Sequence, residues 1–331
     1  MKKSSSYIDQ KVYETNEKIA KLQNETKELF FKCLYEGRDL FYFKKQLEKI
    51  WGKMDYSFMQ DDIDEYMYMI HKNNLEEANI KEDTEEVNKK QNYALYLVAL
   101  GLILTQEDRY KRIISSQYDI AYNSPEYQDN KTEYLKQKVP KYDSQTVPYY
   151  SNGKVIRHVK LSTYTAMVEN TNLTKSAWNT TLNDADRLGA DKFYIPYHIF
   201  SCEHCREYQG RILSRDEVMA HLGLDEAQEG ELLHPNCKCT LLIYWGGKIA
   251  NPYRYSEEEL NQQYEIRQKI NSLTLKKSEL LSDRKIFKQL GAEDQVDEIN
   301  QKIRIINSKI RDLQAQLPTE EMRKSVVAIN R

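Results

Sequence analysis

Two short stretches concentrate the residue types that bind metals or exchange electrons. "SCEHCREYQGRILS" carries Cys202 and Cys205, and "LLHPNCKC" carries His234, Cys237 and Cys239; together they hold four of the chain's five cysteines. A C-x-x-C pair lets two thiolates on one tight turn approach the same ion at ~2.3 Å, and H-x-x-C adds a nitrogen and a further sulfur. Four such ligands in two knuckles suit tetrahedral zinc. The spacing predicts a structural zinc site at Cys202, Cys205, His234 and Cys237. Cys239 is the alternate for either member of the second knuckle, because alternate residues of a strand point to the same face.

Other chemistries fit less well. A redox C-x-x-C needs no partnered second knuckle, and no thioredoxin-like βαβ pattern surrounds this one. A disulfide needs an oxidising compartment, and the opening "MKKSSSYIDQKVYETNEK" lacks the apolar run of a secretory signal. Packing of the same residues without metal is the plain alternative. A catalytic zinc keeps an open position beside a carboxylate base, yet the chain has no H-E-x-x-H and no H-x-E, and Phe200-Ser201 rather than proline precedes Cys202. No Gly-rich phosphate loop or G-x-S-x-G elbow is present. His158 and His198 read as strand residues and Cys33 as a small buried hydrophobe. No catalytic residue is therefore assigned and the chain reads as a non-enzyme.

These knuckles must be positioned by a large, well-solvated framework. The chain has 331 residues, a formal net charge of -2, and 11 Gly and 7 Pro, which fits a helix-rich protein of two or three domains. The near-neutral balance removes the simplest argument for a sequence-independent nucleic-acid binder. Its 25 tyrosines read first as core and strand residues, and second as a contact surface for other proteins. The most apolar run, Ala94 to Leu104, is about half the ~20 residues that span a bilayer. It is expected to be a buried helix, with no membrane span, in a chain made and kept in a cytosol.

The fold class expected is α+β, predominantly helical. Residues 1–122 show helical spacing without a proline and predict a bundle, with a break near "WGKMDYSF". Residues 123–151 hold three prolines and predict an extended linker or arm. Residues 152–250 predict a small mixed α/β module: a strand at "KVIRHVKL", a Ser- or Thr-capped helix ending at Gly189, a strand at "KFYIPYHIF", the cysteine knuckles and a strand at "TLLIYW". Residues 251–331 predict an antiparallel helical hairpin turning at Gly291, since Val296, Ile299, Ile303, Ile306, Ile310, Leu313 and Leu317 recur at coiled-coil spacing. The hairpin either packs back on the protein or serves as an arm for docking and self-association.

The knuckles, the "YQGRIL" strand start between them and the "HPNCKC" run into an apolar strand resemble the minor capsid and head morphogenesis proteins of tailed bacteriophages, including the Mu F-like group. "GKVIRHVKLSTYTAMVENT" is similar to the segment before the knuckle in the phage minor capsid protein 2 branch. The resemblance covers about Asn152 to Trp245. That branch commonly carries an acidic residue and an arginine where this chain has Thr165 and Asn170. The resemblance implies a virion component present in few copies, at the head interior or portal vertex. Its partners would be the portal protein and the major capsid protein, with packaged DNA as a further candidate, and it would act in assembly or DNA delivery. The competing reading is a zinc-dependent nucleic-acid-processing enzyme or a transferase toxin carried in the head.

Overall fold

The computed structural model describes residues 4–80, 89–142, 146–151, 154–198, 200–221, 237–251, 255–319 and 322. The proline-free first third forms α1 (Ser4–Glu36), α2 (Leu40–Trp51), α3 (Phe58–Glu77) and α4 (Lys89–Tyr122), and the expected break is the turn between α2 and α3. Asp39 caps α2 by accepting from the Tyr42 N–H at 2.7 Å.

Backbone carbonyls at the end of α1 and just beyond it are answered from a distance. The Tyr127 hydroxyl donates to the Leu34 carbonyl at 2.6 Å, Lys131 to that of Tyr35 at 2.7 Å, and the Tyr118 hydroxyl to that of Arg38 at 2.6 Å. Tyrosine here serves the interior. Tyr66, Tyr110 and Tyr118 are fully buried, and Tyr118 stacks on Phe43 with ring centroids 4.1 Å apart.

The segment expected as an extended arm carries α5 (Pro125–Asp129), α6 (Lys131–Lys138) and β1 (Thr146–Ser151). β1 pairs antiparallel with β2 (Lys154–Lys160), with an irregularity between Tyr149 and Tyr150 and Pro148 opposite His158. Next comes α7 (Leu161–Leu188), which ends on Gly189 at φ 69°, a left-handed stop that glycine adopts at little cost. Its start differs from expectation. Lys160 occupies the cap position without a side-chain bond, and Gln23 of α1 accepts the Ser162 N–H at 3.1 Å instead.

After α7 come β3 (Lys192–Tyr194), α8 (Glu203–Arg206), β4 (Ile212–Ser214), α9 (Arg215–His221) and β5 (Leu242–Ile243). β3 is the centre of a small antiparallel sheet ordered β4-β3-β5. α10 (Glu257–Gln289) and α11 (Glu293–Ala315) form the hairpin, and a Ser256–Glu259 capping box opens α10. Val296, Ile299, Ile303, Ile306 and Ile310 are buried. The hairpin packs along α1 as well as on itself.

The largest apolar core joins α1, α2 and α4 to β1, the start of α7, and Ile286, Phe287, Val296, Ile299 and Ile303 of the hairpin. It thus crosses the expected limits at 122, 151 and 250. One expectation is overturned. The run Ala94 to Leu104 is helical, but only one side of it meets the core: Ala99 and Ile103 are buried and Tyr96 and Leu100 pack against the core half-buried, leaving Leu97, Val98, Leu102 and Leu104 between 44% and 66% exposed. A helix apolar on every side gives no sequence signal of which side is covered. Among the described residues, no helix is long and apolar enough to cross a membrane.

Candidate metal centre

Cys205 lies on the single turn of α8, directly after the Cys202 cap position. Cys237 and Cys239 lie on the segment that runs into β5. The Sγ atoms of Cys205, Cys237 and Cys239 all lie within 4.8 Å of one another, and all three residues are buried. The Cys205 and Cys237 sulfurs are 3.6 Å apart. The Cys202 thiol is hydrogen-bonded to that of Cys205 from a half-buried position. Of the predicted ligands, Cys205 and Cys237 converge and the alternate, Cys239, joins them, while Cys202 lies outside this group of three. His234 lies outside the described residues.

The fold builds this site from three directions. One face of α7 reads this segment's carbonyls: the Asn170 amide and Thr174 hydroxyl donate to the Cys237 oxygen at 2.8 and 3.1 Å, the Trp178 indole to that of Cys239 at 2.7 Å, and the Thr181 hydroxyl to that of Leu241 at 3.0 Å. Donors spaced four, four and three residues apart lie on one helix face, and carbonyls two residues apart lie along one strand edge. Side chains alternate along the same segment. Cys237 and Cys239 enter the sulfur cluster while Lys238, between them, pairs with Asp9 of α1.

The first knuckle is tied to the hairpin. Phe200 is buried against Ile266, Ile270, Ile306 and Ile310, and the Arg267 guanidinium lies 5.0 Å from its ring. Phe200 holds φ 58°, unusual for a bulky residue, so the hairpin core fixes a strained backbone just before Cys202. Arg206 reaches Asn261 of α10. Between the knuckles, Gly210 has φ 76°, and the Tyr197 ring fills the space a Cβ would take. Only glycine fits that position in "YQGRIL".

Hydrogen bonds with Cys202, Cys237 and Cys239, and then burial, hold the Cys205 thiol far above its ordinary range. Cys239 is also well raised: its bond with Cys205 opposes the shift, while Cys237 and burial drive it. Thiols this close cannot all ionise unless a cation balances them. Four tetrahedral thiolates at ~2.3 Å from one ion stand about 3.8 Å apart, so the observed spacing fits a metal.

His198 was not legible as part of this site. Its Nε2 lies 3.4 Å from the Cys239 sulfur, and the only sequence signal is its place four residues before Cys202. His158 pairs within the β1–β2 ribbon, away from the sulfurs, and Cys33 is buried with its thiol pushed up by burial to about 11. His71 and Asp184 form a buried pair at 2.7 Å between α3 and α7, with Asn74 donating to the other Asp184 oxygen at 2.8 Å.

No curated protein and no solved structure matches the chain. The pattern of one family, described as phage minor capsid protein 2, matches residues 68–318. That span takes in α4, the whole of α7, both cysteine knuckles and the hairpin, which is well over half of the 331 residues. The chain belongs to the phage minor capsid protein 2 family, the structural proteins of phage particles.

Proposed function

We propose that this protein is a minor structural component of a tailed-phage head, associated with the portal and inner head surface during assembly or DNA delivery, and that zinc staples its fold. The portal protein and the major capsid protein are its partners in this reading. Cys205, Cys237 and Cys239 hold the ion. Cys202, bonded to Cys205, is taken as the fourth ligand, with His234 as its rival. Bound zinc would supply the positive charge that lets these thiols ionise.

The observation that carries this reading is the convergence of buried thiols at a point where α1, α7 and the hairpin meet. A four-sulfur set leaves no open position for a reacting water, which favours a building role over chemistry. The exposed apolar face of α4 supports docking against another virion protein, since singly scattered apolar residues are ordinary but a contiguous face is not.

The test is elemental analysis of the purified full-length chain together with composition analysis of purified particles. One zinc per chain and a few copies of the chain per head are expected. A chain that binds no zinc removes the staple, and particles that lack the chain remove the virion assignment.

A further inference from the structure

The ribbon of β1 and β2 is held to the body at its base. Val147 and Val159, opposite one another in the register, pack into the largest core. Beyond them Lys154, Val155, Ile156, Arg157 and His158 are all exposed, Val155 at 46% and Ile156 at 55%. The register places Lys154 and Arg157 on one face with Tyr149, and Val155 and His158 on the other. Both faces of β2 therefore stand in solvent over about 16 Å.

Charge is segregated toward this ribbon. Residues 144–168 contain Lys154, Arg157 and Lys160 and no Asp or Glu, in a chain whose formal net charge is -2. Lys160 pairs with Glu279 of α10, which sets the base of the ribbon beside the hairpin. The hairpin stretches 266–278 and 299–311 together hold eight Lys and Arg and again no Asp or Glu. Of these, Arg267, Lys269 and Lys302 are answered by Asp9, Glu265 and Glu298. Among the described residues, no carboxylate pairs with Lys154, Arg157, Lys276 or Lys277. The Arg157 guanidinium lies 5.4 Å from the Tyr149 ring, a contact that leaves its charge in place.

The shape and the charge select one kind of partner. A flat protein or lipid surface would cover one face of such a ribbon and leave the other in water. Basic residues on an edge strand also oppose the addition of a further strand from another protein. The major groove of duplex DNA, about 12 Å wide, admits a two-stranded ribbon and encloses both of its faces between two rows of phosphates.

We infer that the β1–β2 ribbon enters the major groove of duplex DNA, with Lys154 and Arg157 on the phosphates of the groove wall and Lys276 and Lys277 of α10 on the backbone beside the ribbon's base. These contacts are to phosphates, so they fix position and carry no sequence preference of their own. The near-neutral total charge is no obstacle, because the cations are gathered on one surface and the acidic residues lie elsewhere. The inference stands apart from the zinc reading, since neither the ribbon nor these lysines include a thiol.

The test titrates a fluorescent mixed-sequence duplex of about 20 bp with the full-length chain and follows anisotropy between about 50 and 200 mM salt. Saturable binding near about 10 µM is expected at the lowest salt, with a log–log salt slope of about -4 for four phosphate contacts. The double variant Lys154→Gln, Arg157→Gln should weaken binding by about tenfold and reduce the slope by about two, and Lys276→Gln with Lys277→Gln should reduce the slope by the same amount. Lys45→Gln with Lys49→Gln removes equal charge from exposed positions of α2 and should change the affinity by less than about twofold. Single-stranded DNA of the same length and vesicles rich in phosphatidylglycerol should each bind at least about fivefold more weakly, and a minor-groove ligand such as distamycin should not compete. The absence of saturable duplex binding overturns the inference, as does wild-type affinity in a ribbon variant whose circular dichroism shows it folded. So does an equal loss in the α2 variant, competition by distamycin, or single strands or vesicles binding as tightly as the duplex.

Discussion

The Trp178 indole N–H donates to the Cys239 carbonyl at 2.7 Å, so the bulkiest side chain of α7 holds the backbone of a residue whose sulfur faces the other way. Trp178 is fully buried. Trp178→Phe keeps most of the packing but leaves that carbonyl without a donor, at a cost of about 1–3 kcal/mol. Thermal unfolding should show the loss as a lower Tm. An unchanged Tm would mean the segment is held by its other contacts alone.

Zinc content separates the sulfur ligands from the rival nitrogen. Serine at Cys205, Cys237 or Cys239 should reduce zinc per chain sharply, because losing one of four ligands weakens a closed site and exposes the others. Cys202→Ser should do the same, while His234→Ala should leave the stoichiometry intact. The reverse result for the last two would restore His234 as the fourth ligand. Chelation of the intact chain should speed proteolysis across the knuckles, and indifference to chelator would argue for packing without metal.

Glu169 of α7 is 1% exposed and lies near Thr15, Lys11 and Lys18 of α1 and Asp62 of α3. Burial pushes its carboxyl from the ordinary 4.5 up to about 8, with Thr15 and the lysines opposing and Asp62 assisting. The folded chain then keeps a proton that the unfolded chain releases. This contribution to stability is complete below about pH 4 and is lost as pH rises toward about 8, by roughly 1.4 kcal/mol per unit. Denaturant midpoints across that window should fall for the wild type and flatten for Glu169→Gln. Equal slopes for the two would show that another group dominates.

Sequence periodicity made the long elements legible, because Gly189, Gly291 and the isoleucine ladder of α11 follow local rules. Cys239 was legible as an alternate for the same reason: strands place alternate residues on one face. What connects these elements was not. Asn170, Thr174, Trp178 and Thr181 bind carbonyls some 60 residues away, and side chain to backbone pairing over that separation leaves no pattern in the chain. Pro148 hid the β1 strand, since proline marks edges and breaks alike. The docking of the hairpin on Phe200 was also invisible, because a seam that covers itself looks the same as one that covers a neighbour.

That docking has a measurable cost. Phe200→Ala removes a buried ring from the hairpin core and should destabilise the chain by about 3–5 kcal/mol. Hydrogen exchange should rise first at the base of α10 and in the first knuckle, which Arg206 and Phe200 couple. A rise confined to the hairpin would show that the knuckle is held independently.

The exposed face of α4 separates folding from assembly. Val98→Glu and Leu102→Glu fall at positions 66% and 47% exposed, so each should change the stability of the isolated chain by no more than about 0.5 kcal/mol. Incorporation into particles should nevertheless drop. Normal incorporation of the double variant would clear this face of a docking role.

The segment through Cys237, Lys238 and Cys239 sends its side chains to opposite sides at alternate residues. Parity therefore governs which insertions it tolerates. Adding one amino acid between Lys238 and Cys239, with Cys239 onward held by α7 and β3, would turn the ammonium of Lys238 toward the sulfurs and the thiol of Cys237 away from them, whereas adding two would restore the order of faces at the expense of slippage. Family members that differ in length here should differ by even numbers, whatever their sequences have become elsewhere.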